Sequence, residues 1–130
     1  MQQLMDRFFA LSADIRYVAI YQDDVLTAST KPGVTGASAS ESDRFEELLV
    51  NPTILMLVTQ RGNIDCGGAQ FVLIRYGHFY QYVAPLKQGH VSVAIEPTAD
   101  ALQLVGLIRG VLSDEDDDAK QVFDTSGTSS

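Results

Sequence analysis

Residues 70–96 carry three short runs of β-branched and aromatic side chains with only two to five residues between them, and linkers that short can only fold successive strands back on one another. The first run, Gln70-Phe71-Val72-Leu73-Ile74-Arg75-Tyr76, is apolar on both faces, which predicts a central strand in a sheet covered on both sides. Gly77-His78 follows, with glycine at the first central position as a type II′ hairpin favours, and Phe79-Tyr80-Gln81-Tyr82-Val83-Ala84 pairs back. Residues 85–89 supply the next turn and residues 90–96 the fifth strand of the chain. Such a meander makes an antiparallel sheet.

The upstream half supplies the other two strands. Residues 15–21 and 25–30 are rich in β-branched and aromatic side chains, and the polar Gln22-Asp23-Asp24 between them reads as a tight acidic turn. Ahead of them, Leu4, Met5, Phe8, Phe9 and Leu11 recur at the spacing of one helical face. Pro32, Gly33 and Gly36 force a loop over residues 31–39, after which Ser40 or Ser42 can cap a helix whose first turn holds Glu41 and Asp43.

Phe45, Leu48, Leu49, Pro52, Leu55, Met56 and Thr59 continue at helical spacing. The Asn51-Pro52 pair predicts a kink or a restart, with Asn51 as cap and Pro52 at the first helical position. Residues 54–58 are apolar all round, so a buried strand hairpinned through Arg61-Gly62-Asn63 is the alternative to helix. Asp65-Cys66-Gly67-Gly68 is a flexible link to the meander. After Pro97, Thr98 can cap a last helix carrying Leu102, Leu104, Val105, Leu107, Ile108, Val111 and Leu112.

The elements thus run helix, two strands, helix, three strands, helix: an α+β domain over residues 1–112 with a five-stranded antiparallel sheet and helices on both faces. Residues 113–130 hold six acids against Lys120 and few apolar side chains, which predicts a disordered acidic tail. Most of the net charge of −8 lies there, so the domain itself is only mildly acidic. Its few bases are scattered, which argues against nucleic acid or a membrane surface as partner. No apolar run is long enough to span a bilayer and the first residues lack the pattern of a signal peptide, so a cytoplasmic protein is expected. The single Cys66 agrees with a reducing compartment.

Chemistry-bearing patterns are sparse. No phosphate-cradling glycine loop or dinucleotide fingerprint is present, and Gly36-Ala37-Ser38-Ala39-Ser40 lacks the closing glycine of a nucleophile elbow. His78 and His90 have no acid beside them in sequence and read as surface histidines, and Cys66 has no basic neighbour to activate its thiol. No enzyme, cofactor or metal site is expected.

The Asp23-Asp24 turn, the strand Phe71-Val72-Leu73-Ile74-Arg75, its partner ending Val83-Ala84-Pro85 and the strand closing with Glu96-Pro97 together resemble the roadblock (dynein light chain) family, whose architecture is close to longin and profilin folds. The resemblance covers about residues 2–112; Asp24 stands where many members have glycine, and the Asn51-Pro52 break and the acidic tail depart from the pattern. It implies a dimer, with itself or a paralogue, in which the central strand pairs with its counterpart and the middle helices lie together. The implied interface is Phe45, Leu48, Leu49, Pro52, Leu55, Met56, Phe71, Leu73 and Arg75. It also implies an adaptor or regulator, with a small Ras-like GTPase as a possible partner. The residues support a partner independently, because an all-round apolar middle segment cannot hide every face against one small sheet. The alternative is a small-molecule sensor of profilin-like architecture, with Tyr17, Tyr21, Tyr76, Tyr80 and Tyr82 lining a pocket.

Overall fold

The computed structural model describes residues 2–34 and 40–127, with side chains described as far as Glu115. Helix α1 (Gln2–Leu11) buries Met5 and Phe8, and the chain turns at Ser12 into β1 (Ile15–Gln22). Strand β2 (Val25–Thr30) follows through Asp23 and Asp24, whose φ angles of 55° and 67° are the two left-handed residues a type I′ turn requires. Aspartate tolerates that region better than most side chains, which explains why glycine is dispensable here.

Next come α2 (Ser40–Phe45), a π-helical segment (Glu46–Val50) and α3 (Asn51–Asp65), which form one uninterrupted helix. The expected break at Asn51-Pro52 is absent. Asn51 is helical (φ −63°, ψ −46°) and does not cap; its N–H bonds back five residues to the Glu46 carbonyl. That widened turn precedes Pro52, and a π turn changes the hydrogen-bond register where the proline ring and its missing N–H would otherwise disrupt an α-helix. The strand reading of residues 54–58 and the turn reading of Arg61-Gly62-Asn63 fall with it, since both are helical. Ser40 and Ser42 both lie inside α2 rather than ahead of it, and of the Gly36-Ala37-Ser38-Ala39-Ser40 stretch only Ser40 is among the described residues.

The helix stops where Cys66 and Gly68 both donate to the Gly62 carbonyl at 3.0 Å, with Gly67 and Gly68 at positive φ. Strands β3 (Val72–Arg75), β4 (Tyr80–Leu86) and β5 (Gly89–Ile95) then form the meander. All strand pairs are antiparallel, in the order β2-β1-β5-β4-β3.

Five expectations about this half are corrected. The Phe71–Val72–Leu73–Ile74 run is not central: β3 is an edge strand, and its apolar faces are only half-buried. Gly77 is not among the left-handed glycines, so the β3–β4 turn is not type II′; the Arg75 guanidinium donates to the carbonyls of Tyr76 and Gly77 and braces it instead. Pro85 lies inside β4, opposite His90, because β3 pairs no further than Val83 and leaves β4 with one neighbour there, where a missing N–H is tolerated. Finally, α4 (Ala101–Gly127) is capped by Asp100, whose Oδ1 accepts from the Gln103 N–H at 3.2 Å, rather than by Thr98. The helix also runs through the stretch expected to be a disordered tail, and the Arg7 guanidinium bridges to Asp114 and Glu115 at 3.2 and 2.6 Å.

The result is a three-layer α/β/α arrangement. Alternate residues Val18, Ile20, Tyr82, Ala84, Val91, Val93 and Ile95 face α1 and α4 and form the apolar core. The opposite face, under α2 and α3, carries the polar Tyr17, Gln81, His90 and Ser92 among Ala19, Val83 and Ala94. Among the described residues, no helix is long and apolar enough to cross a membrane.

Candidate functional site

A helix lying on a polar sheet face must bring polar groups of its own, and Glu47 does so with no exposure at all. Tyr17 Oη donates to its Oε2 at 3.0 Å and Ser92 Oγ at 2.6 Å. Asn51 Nδ2 donates to Oε1 at 3.0 Å, and His90 Nε2 lies 2.8 Å from the same oxygen. Two partners on each oxygen use the full acceptor capacity of a carboxylate, so Glu47 has no lone pair left to act on a substrate. Its chemistry is anchorage: one side chain bolts the π segment to β1 and β5. Burial, followed by the adjacent Glu47 charge, drives the Tyr17 hydroxyl far above its ordinary pKa.

The sequence reading missed this cluster. His90 is 2% exposed and paired, not a surface histidine. The available signals were Glu47 and Asn51 four apart on one helical face, and His90 and Ser92 two apart on one strand face, but nothing local says that the two faces meet.

With the polar residues turned inward, apolar ones face out. Phe45, Leu48, Leu49 and Met56, four of the expected interface residues, are between 41% and 59% exposed, and Leu57 and Ile64 join them. Leu55 does not belong to this surface: it is buried against the sheet, and half-buried Pro52 sits with it beside Tyr21 and His90. Phe71 packs on Tyr82 with 5.6 Å between ring centroids and lies under the Arg109 guanidinium. Leu73 packs against the core, and Arg75 is exposed over the Tyr80 ring. The structure therefore divides the nine residues into an outer helix face, an inner pair and the edge strand.

A cavity of about 390 Å³ opens beside the Glu47 anchor. Its walls are Asp43, Glu46 and Val50 from the helix, Tyr76 and Phe79 from the β3–β4 hairpin, and Arg16, Tyr17 and Gln81 from the strands. Tyr76 Oη donates to Glu46 Oε1 at 3.1 Å, and burial together with that carboxylate pushes the Tyr76 pKa up to about 12. Desolvation, then the neighbouring Glu47 charge, raises the Asp43 carboxyl above its usual range. Glu46 is raised as well, by desolvation and by its acidic neighbours, against the lowering pull of the Tyr76 hydrogen bond and of His90. Only Tyr17 and Tyr76 of the five tyrosines line this space; Tyr21 borders a separate cavity of about 360 Å³ and Tyr80 and Tyr82 lie on the core side of the sheet.

His78 and Cys66 are both exposed, and among the described residues no three His, Cys, Asp or Glu side chains converge as a metal-holding group. No known family model matches the chain, and no curated protein is similar enough to it to count as a match.

Proposed function

We propose that the protein is a dimeric adaptor whose interface is the outer face of the α2–α3 helix together with the free edge of β3. The observation that carries this reading is the inversion of that helix, which spends Glu47 and Asn51 on the inside and leaves Phe45, Leu48, Leu49, Met56, Leu57 and Ile64 in water. Six large apolar side chains exposed along one helix support an interaction site there. Covering about 500 Å² of it contributes on the order of 10 kcal/mol before the costs of association, far more than exposed ion pairs supply.

A second copy is the occupant that fits both features at once. The edge of β3 offers unpaired backbone groups, and an antiparallel strand related by a two-fold axis satisfies them while bringing two copies of the helix side by side. The helix is held alongside by Tyr76 on Glu46 at one end and by the Gly62–Gly68 contact at the other. The roadblock resemblance supports the same arrangement and adds the further reading of a cytoplasmic regulator that engages a small Ras-like GTPase or a paralogous chain.

Light scattering on the eluted protein tests the assembly. The expected mass is that of two chains, and Leu49→Glu with Met56→Glu should return it to one; a wild-type monomer at high micromolar concentration overturns the reading. Recovery of a small GTPase by the wild type and not by the double variant supports the regulatory role.

A further inference from the structure

We propose that the cavity between the π segment and the β3–β4 hairpin binds a small organic cation, an ammonium or amidinium group carried on a flat apolar body. The proposal does not rest on the dimer.

Three observations carry it. First, the walls are electrostatically one-sided: Asp43, Glu46 and Glu47 line the cavity against one guanidinium, that of Arg16. Arg16 is already engaged, with Nε 3.5 Å from Glu96, Nη1 donating to the His78 carbonyl at 2.9 Å and the head lying over the Phe79 ring. An anion would therefore meet unbalanced carboxylates, whereas a cation relieves the repulsion between Asp43, Glu46 and Glu47. Second, Gln81 lines the same cavity at 2% exposure, and its Nε2 has no hydrogen-bond partner. A buried donor left unpaired is rare, and a ligand bearing an acceptor a few ångströms from its charge would supply the missing partner. Third, Phe45, Tyr76 and Phe79 give aromatic walls that accept a flat body and favour positive charge over their faces. A volume of about 390 Å³ lies within the range of small-molecule sites and is too small for a folded partner.

The carboxyl groups raised by desolvation agree with this geometry, since a site tuned to hold a cation keeps acids together at a cost to the free protein.

The experiment is an amide NMR titration of the full chain at neutral pH and low salt with 4-hydroxybenzamidine and tyramine, whose hydroxyl oxygens supply the acceptor, and with benzyl alcohol and benzoate. The two cations should shift the Glu46, Tyr76 and Gln81 signals saturably and bind at least about tenfold more tightly than the neutral alcohol, with benzoate weaker still. Glu46→Gln and Asp43→Asn should each weaken 4-hydroxybenzamidine by about fivefold or more, while Glu41→Gln, an exposed acid outside the lining, should leave it unchanged. Each variant's amide spectrum reports whether it is folded, and either folded variant decides the point. Equal affinity for cation and alcohol, or signals that move elsewhere or not at all, overturns the proposal. Repeating the titration on the Leu49→Glu, Met56→Glu variant separates the two readings: binding there should persist, whatever the assembly state.

Discussion

Glu47 concentrates more of the fold's specificity than any apolar side chain, because its replacement cannot be neutral. In Glu47→Gln an amide NH₂, which can only donate, takes the place of one oxygen: turned toward Asn51 it meets another donor, and turned toward Tyr17 and Ser92 it is satisfied only if those hydroxyls rotate to accept from it. Hydrogen bonds to a charged group contribute roughly 1.5–3 kcal/mol each, so losing the carboxylate should cost about 3 kcal/mol or more, read by chemical denaturation. Ser92→Ala removes one of the four partners and leaves the carboxylate three, so it should cost only about 1–2 kcal/mol. A Glu47→Gln variant as stable as the wild type would show that the residue is not an anchor. Asp43 and Glu46 should behave in the opposite sense. Their carboxyls are raised in the folded chain, so the native state holds more protons than the unfolded one just above the ordinary carboxylate range, and stability falls as pH climbs through that window. Denaturant midpoints measured from pH 4 to 7 should therefore decline less steeply in Glu46→Gln than in the wild type.

At the scale of elements, two glycines mark where backbone meets backbone. A Cβ on Gly89 would collide with the Tyr21 carbonyl oxygen, across the β1–β5 ladder, whereas one on Gly62 would lie 2.8 Å from the Gly68 carbonyl carbon, where the end of α3 meets the link to β3. Gly89→Ala should thus be much the more disruptive, separating the strands at that end, while Gly62→Ala should cost about 1–3 kcal/mol by displacing a segment that can shift. Comparable losses in the two would contradict this. Such contacts explain what could be read from the sequence and what could not. The existence of the meander strands, the Asp23-Asp24 turn and the two terminal helices is encoded locally, by alternation, turn chemistry and three-four spacing, although the turns within the meander and the bounds of the last helix differ from those expected. The Glu47 cluster joins residues 30 to 45 positions apart, and β3 lies at the edge because β5 pairs with β1 from the start of the chain, neither of which a window of sequence brings together. Glu46 and Glu47 look identical on paper; their neighbouring positions on the helix turn the first toward the Tyr76 hydroxyl and the second onto the sheet.

For the whole molecule, the polar layer beneath α2–α3 and the apolar layer outside it make one argument about assembly. A monomer would keep the six large apolar side chains of this helix and the β3 edge in water, with the stabilising Glu47 network unable to compensate because it lies on the other side of the helix. If a second copy covers that face, the native state is favoured by mass action, and the melting temperature should rise with protein concentration in the wild type but stay constant in the Leu49→Glu, Met56→Glu variant. Hydrogen exchange then reads the strand separately from the helix. Along an edge strand alternate N–H groups point away from the sheet, so two of the four β3 amides should exchange quickly in the monomeric variant and slowly in the wild type at high concentration. Concentration-dependent melting with β3 amides that stay fast would mean that the helices meet without the strands, and that the sheet edge is left for a different partner.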